Sequence, residues 1–352
     1  VTPTPFGQPI GEIGYISNLQ HNWIQIDLLN SYTDPVVVCG AVSPIGNTIV
    51  ATRIRNITST SFEIRLAEPV PCHDDIHPAE NLTYLVMEAG QHELGNGTVI
   101  EAGKVDIYDY VPAAETITFD TTFPEAPVVL AQIQTTNQDG FVTTRYTGPA
   151  TSTSVEIGMD TPGEWLNCEC DAHDAMETMG WIAWPEETGF NNGKVYESTL
   201  SDTILSSSGA TVPFQNTYDF DAYIVACMDS RNGNDLCTLR YQGRTSTFMF
   251  VVLDEDTCYD EETQHLTEES AGFVIFDGAG SIFGLPLVQT PTPTPECVNN
   301  GDVNGSGSLT AEDAQMTFNI VLGFLVPTYE QACAADCNGS GGITAEDAQV
   351  IF

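Results

Sequence analysis

The feature that most constrains this 352-residue chain is a threefold internal repeat. A first pattern joins an alternating strand, an aromatic, a turn and a second apolar strand. It occupies Trp23–Val38, Glu115–Leu130 and Ala210–Ala226. A second is a Thr-rich hairpin opened by one arginine, at Thr52–Leu66, Thr144–Met159 and Thr238–Leu253. A third sets a glutamate four residues before an aromatic that starts an apolar strand: Glu80/Tyr84, Glu177/Trp181 and Glu269/Phe273. The order returns at intervals of a little over ninety residues, and a fixed period of this kind marks duplicated structural units. Each unit alternates with period two, is rich in Val, Ile, Thr and aromatics, and is broken by Gly, Pro, Asn and Asp clusters. No amphipathic helical stretch of length precedes Ala311. The expected fold is mainly β: three tandem antiparallel β-sandwich domains plus a small α-helical, paired EF-hand-like calcium module.

Two Thr-Pro tracts punctuate the chain, Val1–Pro5 and Val288–Pro295. Alternating proline favours extended polyproline II, a semi-rigid spacer. The division expected is an arm at 1–5, sandwich repeats at 6–107, 108–203 and 204–287, a linker at 288–296, and a C-terminal module at 297–352. A start at Val1 without Met fits a mature chain whose signal peptide is absent, and a trimmed chain would look identical.

Forty-nine acidic residues face nine Lys plus Arg, a formal net charge of −40. That balance excludes nucleic-acid binding, which needs clustered cations to displace counterions, and disfavours anionic membrane surfaces. No run reaches the length of apolar sequence that spans a bilayer. Ten cysteines without a CxxC pair fit an oxidising, extracellular compartment. Asn56, Asn81 and Asn96 each open an Asn-x-Thr sequon.

The C-terminal module carries the clearest chemistry. Asp302, Asn304, Ser306, Ser308, Thr310 and Asp313 place oxygens at the odd positions and the twelfth position of a loop, with Gly307 at the sharp turn. Thirty-four residues later Asp336, Asn338, Ser340, Gly342, Thr344 and Asp347 repeat the register. Calcium takes six to eight hard oxygen ligands, and this spacing wraps them around one point. Two calcium ions are therefore expected. Leu309 and Ile343 are placed to pair the loops, and Thr310 and Thr344 to cap acidic helix starts. Serine at position 5 leaves two carboxylates per loop and weakens the site. The second TAEDAQ helix stops at Phe352, short of the first, which raises the expectation of truncation or of completion by a neighbour.

This segment resembles a type I dockerin, whose loops likewise end in Asp. The resemblance implies a cohesin-like partner and a secreted or cell-surface location. The three β repeats, more diffusely, resemble H-type lectin domains, six-stranded sandwiches whose trimers hold galactose-type glycans between protomers. On that resemblance Arg53, Arg145, Arg240, Glu80, Glu177, Glu269, His77, His173, His265 and Trp181 become candidate glycan contacts. The favoured reading of the same Arg and Glu is a structural ion pair that fixes the sandwich and is repeated by duplication. Cysteine placement suggests Cys39–Cys72 and Cys227–Cys258, on the expectation that duplicated geometry brings both pairs together. No nucleophile elbow, HExxH or Walker loop occurs, so no enzymatic activity is expected. Two readings follow: a lectin-like body tethered through its dockerin, or a self-assembling subunit of an extracellular filament or surface layer whose copies join one another.

Overall fold

The computed structural model describes residues 7–70, 73–108, 110–162, 173, 175–218, 222–256, 264–287, 299–338 and 342–351. The Thr-Pro arm, the Thr-Pro linker, Cys72, Cys258 and Ser340 lie outside the described residues. The chain divides into two units, Val1–Leu287 and Val288–Phe352. The first is built of strands and the second of helices.

The first unit opens with β1 (Gln8–Leu19), β2 (Ile24–Asp27), β3 (Pro35–Cys39), β4 (Ala51–Arg55), β5 (Ser61–Ala67) and β6 (Glu80–Glu88), then a short β7 (Gly90–Glu93). Next come β8 (Val99–Ile107), β9 (Glu115–Thr118), β10 (Val128–Ile133), β11 (Thr143–Tyr146), β12 (Ser154–Asp160), β13 (Glu177–Trp184) and a short β14 (Glu187–Asn191). The last set is β15 (Lys194–Leu200), β16 (Ala210–Pro213), β17 (Tyr223–Met228), β18 (Cys237–Arg244), β19 (Phe248–Glu255), β20 (Ala271–Phe276) and a short β21 (Gly280–Pro286). In each set the sixth strand lies antiparallel between the first and third. The fifth lies between the second and fourth.

These pairings correct the expected boundaries at 107/108 and 203/204. β8 pairs with β13 and β15 with β20, so each belongs to the repeat that follows it. The cause is a hairpin at each junction. Between β14 and β15 the loop is only Asn192-Gly193, with φ of 49° and 81°, the two left-handed residues a type I′ turn demands. β7 forms a hairpin with β8 through the longer loop Leu94–Thr98, and β21 returns to pair with β1. The first and last strands of the unit are thereby zipped together, and the repeats close into a ring.

Burial follows that ring. Each repeat has an interior core: one around Ile54, Phe62 and Tyr84, one around Ile117, Phe119 and Trp181, one around Val212, Met249 and Phe273. A further core is shared, drawing Ile13, Val38 and Leu85 from the first repeat, Leu130 and Trp184 from the second, and Val225 and Phe276 from the third. Because strand residues alternate faces, Val36 and Val38 enter the shared core while Val37 and Cys39 enter the repeat's own. Burial on both faces explains the apolar run PVVVC and the run VVLAQI, apolar but for the hydrogen-bonded Gln132.

The same alternation overturns the expected disulfides. Cys39 and Cys227 are both free thiols. Cys39 lies opposite Tyr84, whereas Cys227 lies opposite Gly272 and it is Ala226 that faces Phe273, the counterpart of Tyr84. A slip of one residue turns a side chain to the other face, so the two cysteines are not equivalent positions and the duplicated-geometry argument fails. Both instead line, with Cys237, a cavity of about 80 Å³ where the three repeats meet. Burial pushes the Cys39 thiol up and holds Cys227 at about 12. A thiol reagent at pH 8 is therefore expected to label Cys39 and Cys227 only after denaturation; mapping by mass spectrometry with and without denaturant checks this.

The second unit holds α1 (Ala311–Val321), α2 (Tyr329–Ala335) and α3 (Ala345–Ile351). Its small core gathers Val303, Ala314, Ala334, Ala335 and Ile351. Ile343 packs on that core, but Leu309 remains 56% exposed, so the two do not bury together as expected. Cys333 is disulfide-bonded and Cys337 is a free thiol.

Candidate functional site

Each loop of the second unit is organised by its twelfth-position aspartate. Asp313 Oδ1 accepts the Asn304 N–H at 3.0 Å, and Oδ2 accepts the Thr310 N–H and hydroxyl, both at 2.8 Å. Asp347 repeats this with Asn338 at 3.1 Å and with Thr344 at 2.9 and 2.8 Å. Both aspartates are fully buried. Burial would raise their carboxyls, but these hydrogen bonds outweigh it and hold both below the usual range. At the loop's start Asp302 accepts the N–H groups of Ser306 and Gly307 at 2.9 and 2.7 Å, and Asn304 Oδ1 accepts from Ser306 at 2.9 Å. The Ser306 hydroxyl donates to the Ser308 carbonyl at 3.1 Å. The donor set is all oxygen, two carboxylates with amide, hydroxyl and carbonyl groups. That composition suits calcium and not a thiophilic metal. Asp302, Asn304, Ser306, Ser308, Thr310 and Asp313 would hold one ion; among the described residues of the second loop, Asp336, Asn338, Gly342, Thr344 and Asp347 stand in the places of all of these but Ser306.

The arginines, glutamates and histidines singled out in the first unit come together, but across repeats. Arg53 donates to Glu177 at 3.3 Å, Arg145 to Glu269 at 3.4 Å and Arg240 to Glu80 at 2.8 Å. The first repeat thus reaches the second, the second the third, and the third returns to the first. All six side chains belong to residues at most 1% exposed. His77, His173 and His265 meet the same carboxylates at 3.1, 2.9 and 3.3 Å. Ser43, Thr135 and Ser230 donate their hydroxyls to them. Trp181 does not join this set. It is 6% exposed, its ring centroid 5.6 Å from that of Phe119 inside the second repeat, so it is a core residue and not the cover of a sugar face.

A second repeated glutamate escaped the sequence reading. Glu12 accepts the N–H groups of Leu29 and Asn30, Glu101 those of Asp120 and Thr121, and Glu197 those of Gln215 and Asn216. Each is at most 4% exposed and pins the turn after the second strand of its repeat. The signal was a glutamate inside the apolar first strand at matching places.

The seams make stability depend on pH in two opposing ways. Burial raises Glu177 and Glu269, but hydrogen bonds from His173, Thr135 and Asn137, and from His265, Asn232, Ser230 and Gly233, bring each to about 2. A carboxyl depressed on folding stabilises above its unfolded value and loses that contribution as pH falls towards 2. Burial holds Asp160 and Asp229 up at about 6, so their ionisation opposes folding above pH 6 and that opposition is relieved on acidification. The thermal midpoint of the first unit is expected to rise from pH 8 to about pH 5 and to fall steeply below about pH 4. Calorimetry across this range checks it, and a midpoint falling steadily from pH 8 would contradict the assignment.

Residues 300–351 match the dockerin type I domain family, so the C-terminal module is a dockerin type I domain. Such domains bind calcium, occur in extracellular proteins and imply a cohesin partner. The chain is also 29% identical over 331 residues, 87% of its own length, to halomucin of Haloquadratum walsbyi (strain DSM 16790 / HBSQ001). It spans 3% of the length of that curated relative. No solved structure matches the chain. No helix among the described residues is long and apolar enough to cross a membrane.

Proposed function

We propose that this chain is an extracellular, calcium-dependent modular protein that is attached through its dockerin domain and carries a rigid, non-enzymatic β body. The reading rests on the two aspartate-organised loops of the module, which can present a docking surface only when their geometry is held. The body reads as three six-stranded sandwiches forming a trimer within one chain. Its Arg–Glu–His sets favour a scaffold over a galactose-binding lectin, because the groups that would meet sugar hydroxyls already bond to protein. Two calcium ions complete the module.

A pull-down on an immobilised type I cohesin tests the attachment. Retention in calcium and release by chelator is expected, whereas equal retention in both conditions would sink it. A glycan array carrying galactose-type sugars tests the body, and specific binding there would restore the lectin reading. Calcium-dependent polymerisation of the purified chain without cohesin would instead favour the filament subunit.

A further inference from the structure

We infer that Asn56 carries an N-linked oligosaccharide. Its sequon is Asn56-Ile57-Thr58, in the loop between β4 and β5, where Asn56 is exposed with a left-handed φ of 50°. The amide Nδ2 donates to Glu63 Oε2 at 3.1 Å. A substituted amide retains one N–H, so a sugar on Nδ2 leaves that bond intact. The Thr58 hydroxyl organises the turn, accepting the N–H groups of Thr60 and Ser61 at 3.3 and 3.0 Å. Nothing in the fold has to move for a bulky, solvated group to stand there.

The other sequons are closed by their surroundings. Asn81 is half-buried within β6, between β1 and β3, and its Oδ1 accepts the Asn18 N–H at 3.2 Å. Thr83 of the same sequon is 4% exposed and accepts the Ile224 N–H across a seam. Asn96 is exposed, but Nδ2 donates both to Glu187 at 3.1 Å and to the Tyr196 hydroxyl at 3.2 Å. A sugar there breaks one of those contacts between repeats. Asn304 and Asn338 stand in the calcium loops.

The donor is a lipid-phosphate-linked oligosaccharide. Nδ2 of Asn56 forms a bond to the sugar's C1, the C1–O bond to phosphate breaks, one amide proton leaves, and the lipid phosphate departs; nothing is oxidised or reduced.

The full chain, secreted from a host whose N-glycosylation is verified on a co-secreted sequon-bearing control, is digested and mapped by mass spectrometry. Trypsin isolates Asn56–Arg65, and a glutamate-specific protease separates Asn81 from Asn96. Glycan on Asn56 is expected about tenfold more often than on any other sequon. Asn56→Gly, which keeps the left-handed backbone without strain, should remove it without shifting the melting midpoint. An unmodified Asn56 peptide, or occupancy at Asn81 or Asn96 equal to that at Asn56, overturns the inference.

Discussion

Replacing Arg145 with methionine is expected to lower the thermal midpoint of the β body by about 10 °C, the scale of losing 3–5 kcal/mol from a domain of this size. Arg145 is fully buried, with Glu269 at 3.4 Å and Asp160 at 3.6 Å. Removing the guanidinium leaves two carboxylates inside the protein without their cation. Desolvation then dominates, because a buried ion pair contributes little net stability when intact but is costly to break. Arg145→Met combined with Glu269→Gln should recover part of the loss. Glu63→Gln, which breaks the solvent-facing Arg55–Glu63 pair, should leave the midpoint where it is, since exposed pairs are screened. An Arg145→Met protein that melts within about 2 °C of the parent would refute the assignment of these pairs as the joints of the ring.

The joints also show how far the sequence could be read. Arg53, Arg145 and Arg240 and their glutamates were visible as repeated positions, and so was the alternation that makes strands. Their partners were not. When three units are alike, Glu80 looks the same whether its arginine is Arg53 of its own repeat or Arg240 of another. Only closure of the chain, through β21 returning to β1, decides. Alternation likewise gives faces but not phase. Cys39 and Cys227 both end an apolar strand, yet the register against Tyr84 and Phe273 differs by one residue. Glu12 was hidden because a glutamate within an alternating strand reads as its solvent-facing member. The pairing of β1 with β6 on one side and β21 on the other buries it instead. The two aspartate-organised loops were legible as a repeated twelve-residue register, since the hydrogen bonds of Asp313 and Asp347 are all local. The short helix α2 between them has no repeat to announce it.

Chelation of calcium is expected to unfold the dockerin module while leaving the β body intact. The module's core is built of Val303, three alanines and Ile351, too little apolar surface for so small a unit to fold without a staple. Metal binding energy is then folding energy. Helical circular dichroism and protease resistance of residues 299–351 should vanish in chelator and return with calcium, and the body's melting transition should not move. Calorimetry should count two ions, and one after either Asp313→Ala or Asp347→Ala, because each carboxylate organises a single loop. Serine at position 5 leaves two carboxylates per loop, so dissociation constants of about 10–100 μM are expected. Ser306→Asp should tighten the first site about tenfold by adding a third carboxylate. A module that keeps its helices and its protease resistance in chelator would show that the Cys333 disulfide and the alanine core suffice. Calcium would then not govern whether the docking surface exists.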